Sequence, residues 1–208
     1  MTHQKIIRVE PADQYFSLSW RVGIRCNYDC MYCSADWHND TDRARSLEEL
    51  QQAWIEIFEK TKFRNLPYKI LFTGGELTTN KNFLPFVAWL KQNYSEHLYK
   101  LVVTTNGSAS ATYYEKMFQC VDNITFSVHS EHIDEQRFFD TVVKLHQTLP
   151  QNKFLHVAIM NEHWNQQRIK MYTALLDTHQ ISYSINEIDY SLQTREHPIF
   201  VGKLNLDI

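Results

Sequence analysis

Two periodicities alternate along this chain, and that alternation constrains its fold more than any other feature. "FSLSWRVGI" (16–24) places Phe16, Leu18, Trp20, Val22 and Ile24 on one side, the two-residue period of a strand. "SLEELQQAWIEIFEK" (46–60) then reads as a helix. Ser46 is its N-cap with Glu49 three residues on, and Leu47, Leu50, Trp54, Ile57 and Phe58 share one apolar face. The cycle repeats. "KILF" (69–72) precedes a helix near 80–93, and "KLVV" (100–103) precedes one near 110–119. "ITFSVH" (124–129) precedes one near 134–148, "FLHVAIM" (154–160) precedes one near 165–178, and "ISYSINEI" (181–188) closes the series. Such alternation predicts a mostly parallel sheet joined by right-handed crossovers.

Six βα units in 208 residues are few for a closed eight-stranded barrel, which takes about 250. Two strands also carry a polar face. Thr125, Ser127 and His129 share one side of the fourth, and Ser182, Ser184 and Asn186 share one side of the last. A closed barrel fills its interior with branched apolar side chains. The expected fold is therefore α/β, a partial, open TIM-like barrel curved around a wet cleft. No repeat, low-complexity tract or linker interrupts it, so residues 1–208 are read as one domain with its core over about 16–190.

A formal net charge of -3 offers no field for a nucleic-acid backbone. The opening "MTHQKIIRVE" lacks the apolar stretch of a secretory signal, and no apolar run reaches bilayer length, so a cytoplasmic protein off the membrane is expected. Disulfides are rare in that compartment, where clustered thiols bind metal or do redox chemistry. "CNYDCMYC" sets Cys26, Cys30 and Cys33 on the loop after the first strand, the end at which sites in such barrels lie. An ordinary [4Fe–4S] cluster takes four cysteines, so three leave one iron open to a small molecule. A structural Cys3His zinc site using His38 is the alternative. A redox dithiol would use Cys30 and Cys33 and leave Cys26 surplus. Cys120, alone in "MFQCVDN", reads as a small buried hydrophobe.

C-x3-C-x2-C after the first strand, an aromatic (Tyr32) before the last cysteine, and "TGGEL" (73–77) after the second strand together resemble the radical S-adenosylmethionine (radical SAM) superfamily, roughly from Trp20 to Tyr190. The resemblance implies a [4Fe–4S] cluster on Cys26, Cys30 and Cys33 with SAM on the open iron, and a cofactor-binding role for Tyr32. It assigns Gly74, Gly75 and Glu76 to the ammonium group of SAM; Leu77 stands where the family usually has proline. By the same resemblance, "TTNG" (104–107) and "SVHSE" (127–131) bring Thr104, Asn106, Ser127 and His129 to the SAM ribose and carboxylate, while His132 is read as solvated. The implied reaction is reductive cleavage of SAM to a 5′-deoxyadenosyl radical that takes a hydrogen atom from substrate. It needs a low-potential electron donor of flavodoxin or ferredoxin type. No cysteine-rich extension for further clusters follows, and the polar strand faces favour a small polar metabolite. Met160, Asn186 and Glu187 at the ends of the later strands are its expected contacts. The alternatives are an activase that installs a glycyl radical on a partner protein, and a non-enzymatic zinc module.

Overall fold

Six strands pair in parallel and in chain order in the computed structural model, which describes residues 14–33 and 42–188. They are β1 (Phe16–Arg21), β2 (Tyr68–Thr73), β3 (Leu98–Thr105), β4 (Asn123–Val128), β5 (Phe154–Asn161) and β6 (Tyr183–Glu187). The order β1-β2-β3-β4-β5-β6 leaves β1 and β6 at opposite edges, so the sheet is open, as the short chain and polar faces predict. Between successive strands run α1 (Leu47–Thr61), α2 (Phe83–Tyr94), α3 (Ala111–Cys120), α4 (Glu135–Thr148) and α5 (Gln166–Thr178). Ser46 caps α1 with the full reciprocal box to Glu49, and Ser110 and Asp134 cap α3 and α4 by accepting from Tyr113 N and Arg137 N.

Strand alternation sorts the sheet into two unlike faces. Ile70, Phe72, Leu101, Val103, Phe126, Val157 and Ile159 are buried in one cluster with Trp54, Phe86, Met117, Phe138 and Leu176 from the five helices. Burying each such side chain contributes about 1.5–3 kcal/mol, and this cluster is what holds the helices to the sheet. Among the described residues, the opposite face has no helix. It carries exposed Ser17, Ser19 and Arg21 on β1, half-buried Lys69 and Thr73 on β2, and Lys100 and Thr104 on β3. Thr125, Ser127, His156, Met160, Ser184 and Asn186 continue it across the later strands. Parallel strands are ordinarily covered on both sides, so a polar second face marks where something other than a helix belongs.

Several boundaries differ from the expected ones. β1 stops at Arg21 rather than running to Ile24, because its partner turns away at Gly74. Val22 N still donates to Thr73 O at 3.0 Å, but Ile24 N pairs with Asp42 Oδ2 at 3.3 Å. α2 begins at Phe83 rather than near 80, since Leu77–Thr79 forms a 3-10 turn. Asn80 and Asn82 then donate from Nδ2 to Arg45 O, at 3.2 and 3.0 Å. β6 is trimmed at both ends. Cys120, read as a small buried hydrophobe, ends α3 half-buried and packed against the core.

Candidate active site

The loop after β1 is fastened at several points to the ends of other strands. Asn106, just past β3, donates from Nδ2 to Asn27 Oδ1 at 3.0 Å and lies 4.0 Å from Cys26 Sγ. Met31 is buried and its N–H meets Glu131 Oε2 at 3.3 Å. Tyr28 stacks on His132 and meets His129 edge-on, so His132 is packed rather than simply solvated. All three cysteines of this loop are free thiols. Burial pushes each thiol above its ordinary value, most strongly at Cys30, so they stay protonated until a cation arrives.

Gly74 and Gly75 let two backbones meet. Gly75 N donates to Gly23 O at 3.0 Å and Glu76 N to Arg25 O at 2.7 Å, carrying the β1–β2 ladder into the loops. Gly74 has φ +146°, and a Cβ there would lie 2.3 Å from Gly23 O. These glycines thus admit the neighbouring loop, a reason separate from any approach to a ligand. Glu76, next in line, is 3 % exposed. Its Oε1 accepts from Thr78 N (3.0 Å) and Thr105 Oγ1 (2.8 Å), and its Oε2 from Asn106 N (2.6 Å). Burial raises its carboxyl above the usual carboxylate range, and these donors oppose that. Leu77, buried at the start of the 3-10 turn, gives the segment a fixed shape without proline.

Farther along the sheet, Tyr32 Oη lies 2.6 Å from His129 Nδ1 and 3.1 Å from Glu162 Oε1. Glu162 is fully buried at the end of β5. Sequence reasoning missed it; its place directly after a strand end was the available signal. Thr105, which anchors Glu76, was hidden in the same way behind the more prominent Thr104.

One cavity of about 390 Å³ gathers most of these groups. Cys26, Cys30 and Cys33 line it together with Tyr32. Gly74, Gly75 and Glu76 form a second side, and Thr104, Asn106, Ser127, His129 and Met160 a third. Tyr28, Thr73 and Thr105 also line it and were not anticipated. Asn186 and Glu187 do not line it. They are exposed on β6, where Glu187 Oε1 accepts from Asn161 Nδ2 at 2.7 Å. His38, the fourth ligand of the zinc alternative, lies outside the described residues.

Against known proteins, residues 20–170 match the family model described as the radical SAM superfamily. The chain belongs to that superfamily. Among curated relatives, a radical SAM match named GTP 3′,8-cyclase from Haemophilus ducreyi is 35% identical over 95 residues, covering 45% of this chain and 26% of its own. Another of that name, from Rhizobium etli, is 31% identical over 119 residues, 55% of this chain and 32% of its own. An S-adenosylmethionine-dependent nucleotide dehydratase from Selenomonas ruminantium is 31% identical over 96 residues, with 45% and 30% covered. The chain therefore spans about a third or less of the length of these relatives. Among solved structures, Streptococcus suis SuiB shares the fold with a TM-score of 0.62 at 14% identity, covering 85% of this chain and 40% of that one.

The radical SAM superfamily implies SAM and a [4Fe–4S] cluster, and the donor set fits both. Three reduced thiols face one cavity, and no fourth cysteine joins them: Cys120 is at the far end of α3. Polar strand-end side chains and a buried carboxylate line the rest. Glu76 also has a structural duty its assignment from sequence did not include. Glu76→Ala would take the acceptor from the buried Asn106 N–H and from Thr78 N–H and leave Thr105 Oγ1 only Tyr114 Oη, at a cost of roughly 3 kcal/mol. We expect thermal denaturation of Glu76→Ala to show a midpoint lowered by roughly 6–12 °C, beside any loss of SAM affinity. An unchanged midpoint would remove the structural role.

Proposed function

We propose that this chain carries out radical SAM chemistry on a small polar metabolite bearing an anionic group. One observation carries the reading: the three thiols, Gly74-Gly75-Glu76 and the strand-end groups of β3, β4 and β5 line a single cavity. When bound, the cluster and SAM supply one-electron cleavage of the SAM carbon–sulfur bond to a 5′-deoxyadenosyl radical, which takes a hydrogen atom from substrate. The chain's own residues hold and orient. Cys26, Cys30 and Cys33 would take three irons and leave the fourth for SAM. Glu76 supplies a buried anion beside that position, suited to an ammonium group. Thr104, Asn106, Ser127 and His129 offer hydroxyl, amide and imidazole groups to the remaining polar atoms, and Tyr32 adds a phenol. The electron would come from a low-potential flavodoxin or ferredoxin type of donor.

Support for the substrate class comes from the uncovered sheet face. Lys69 and Lys100 are register partners on β2 and β3 and both sit on the cavity's side. Lys69 Nζ lies over the Tyr15 ring, 5.1 Å from its centroid, and among the described residues neither lysine is paired with a carboxylate. Two like charges side by side repel, which an anion between them relieves. Lys69 is four residues before Thr73, about 13 Å along the strand, a reach that suits a phosphorylated metabolite extending from the cavity. The relatives whose names include GTP and nucleotide are consistent with that class. The polar face also favours a metabolite over a partner protein's glycyl-radical segment. Asn186 lies on the far edge of the same face and would meet the substrate's distal end, whereas Glu187, beside Asn161, is on the other side of the strand. None of the described helices is long and apolar enough to cross a membrane.

The test is uncoupling. Given a strong reductant, the protein purified without oxygen should release 5′-deoxyadenosine from SAM slowly. Nucleotides and sugar phosphates should accelerate that release. Lys69→Ala and Asn186→Ala should keep the slow basal release and lose most of the acceleration, roughly tenfold or more, because hydrogen abstraction depends on close placement, whereas Glu187→Ala, on the opposite strand face, should behave like the parent. If no phosphorylated compound accelerates release, the anionic-substrate reading fails.

A further inference from the structure

Tyr32, His129 and Glu162 form a chain of hydrogen bonds whose hydrogens can be counted. The Tyr32 hydroxyl has one hydrogen and two neighbours, His129 Nδ1 at 2.6 Å and Glu162 Oε1 at 3.1 Å. It donates to one and accepts from the other. Glu162 is fully buried and surrounded by donors: Ser130 N reaches the same Oε1 at 3.0 Å, while Ser130 Oγ and Asn165 Nδ2 reach Oε2. Burial raises the Glu162 carboxyl to about 7 while the bonds from Asn165, Tyr32 and Ser130 oppose that, so above this pH it is an ionised carboxylate, which can only accept. Tyr32 must then give its hydrogen to Glu162, and His129 must give its Nδ1 hydrogen to Tyr32.

We propose that Glu162 is a positioning residue that, through Tyr32, fixes His129 as the Nδ1–H tautomer and leaves Nε2 a bare acceptor toward the cavity for a hydroxyl or ammonium donor of the bound ligand. His129 lines that cavity beside Met160 and Ser127, and among the described residues nothing hydrogen-bonds its Nε2. Burial, and then neighbouring His132, lowers the imidazole to about 4, so the ring is neutral and has a tautomer to fix. The same carboxylate ties the Ser130 backbone to the end of β5, so one buried group sets both the ring's hydrogen and the loop that carries the ring. The identity of the donor as part of SAM or substrate rests on the function proposed above; the tautomer does not.

Nitrogen-15 NMR of the histidine-labelled protein, purified without oxygen and without SAM and held well above pH 7 so that Glu162 is ionised, reads the tautomer directly. The His129 signals are assigned by their loss in His129→Gln. We expect a protonated Nδ1 and a bare Nε2. Glu162→Gln should preserve this, because Ser130 N–H holds the amide oxygen at the Oε1 position, where it still accepts from Tyr32. Glu162→Leu frees the Tyr32 hydroxyl to donate to His129, and the ring should switch to Nε2–H while SAM affinity falls about tenfold, the equivalent of one hydrogen bond. If Glu162→Leu does not fold, Tyr32→Phe removes the hydroxyl alone and should abolish the Nδ1–H preference. An Nε2–H ring in the parent protein overturns the inference, as does an unchanged Nδ1–H ring in both Glu162→Leu and Tyr32→Phe. The expected tautomers in a protein that never cleaves SAM would instead overturn the proposed function and leave the hydrogen-bond chain standing.

Discussion

Replacing Cys26, Cys30 or Cys33 by alanine is expected to remove the iron centre altogether, whereas Cys120→Ala leaves it whole. The reasoning is one of valence and place. A [4Fe–4S] cube held by three thiolates has no spare protein ligand to compensate for a loss. Cys120 ends a helix on the other side of the sheet and packs against the core, away from the cavity that the three loop cysteines share. Reconstituted without oxygen, the parent should carry close to four irons and four sulfides per chain, and each loop variant close to none. The magnitude is a complete loss because two thiols cannot close the site. Stoichiometric zinc with no sulfide in the parent would overturn the assignment and restore the zinc module. A full complement of iron in Cys30→Ala would do the same for the ligand set. The raised thiols add a check, since loading the centre must release protons, measurable in weakly buffered solution.

Gly75→Ala should be among the most damaging single-methyl changes in the fold. A Cβ at Gly75 would lie 2.1 Å from Arg25 O and 2.7 Å from Ile24 O. Both are backbone atoms of the cysteine loop, so no side chain can swing aside. The two loops would have to separate by about an ångström, breaking the Gly75 N to Gly23 O and Glu76 N to Arg25 O bonds that join them. The expected cost is about 4 kcal/mol, and the cysteine loop and the Glu76 carboxylate would move apart. Gly23→Ala is the internal control. Its Cβ would meet only Asp42 Oδ2, at 3.6 Å, an ordinary contact, so its stability should stay within about 1 kcal/mol of the parent. Denaturant unfolding and SAM affinity measured on the two variants decide the matter. A Gly75→Ala protein with parental stability and parental SAM affinity would show that the loops are not clamped as described.

What was legible in the sequence was what short-range chemistry carries. Alternating residues in "KILF" and "ITFSVH" announced which side of each strand is apolar, and the Ser46–Glu49 box announced where α1 begins. C-x3-C-x2-C marked three thiols of one loop as ligand candidates, and the number of units argued against a closed barrel. Each of these depends on residues a few positions apart. What the tertiary structure decided depends on residues brought from opposite ends of the chain. "TGGEL" suggested a ligand for Glu76, but only the packed loops show that its carboxylate also holds Thr105 and Asn106 some 30 positions away. The end of β1 at Arg21 follows from a turn in its partner at Gly74, which no local pattern in "WRVGI" encodes. Glu162 looked like an ordinary charged residue after a strand, and the fold buries it among donors from Tyr32 and Ser130. A strand's period is a property of consecutive residues. A buried hydrogen bond's direction is a property of every donor around it, and only the folded chain assembles those donors.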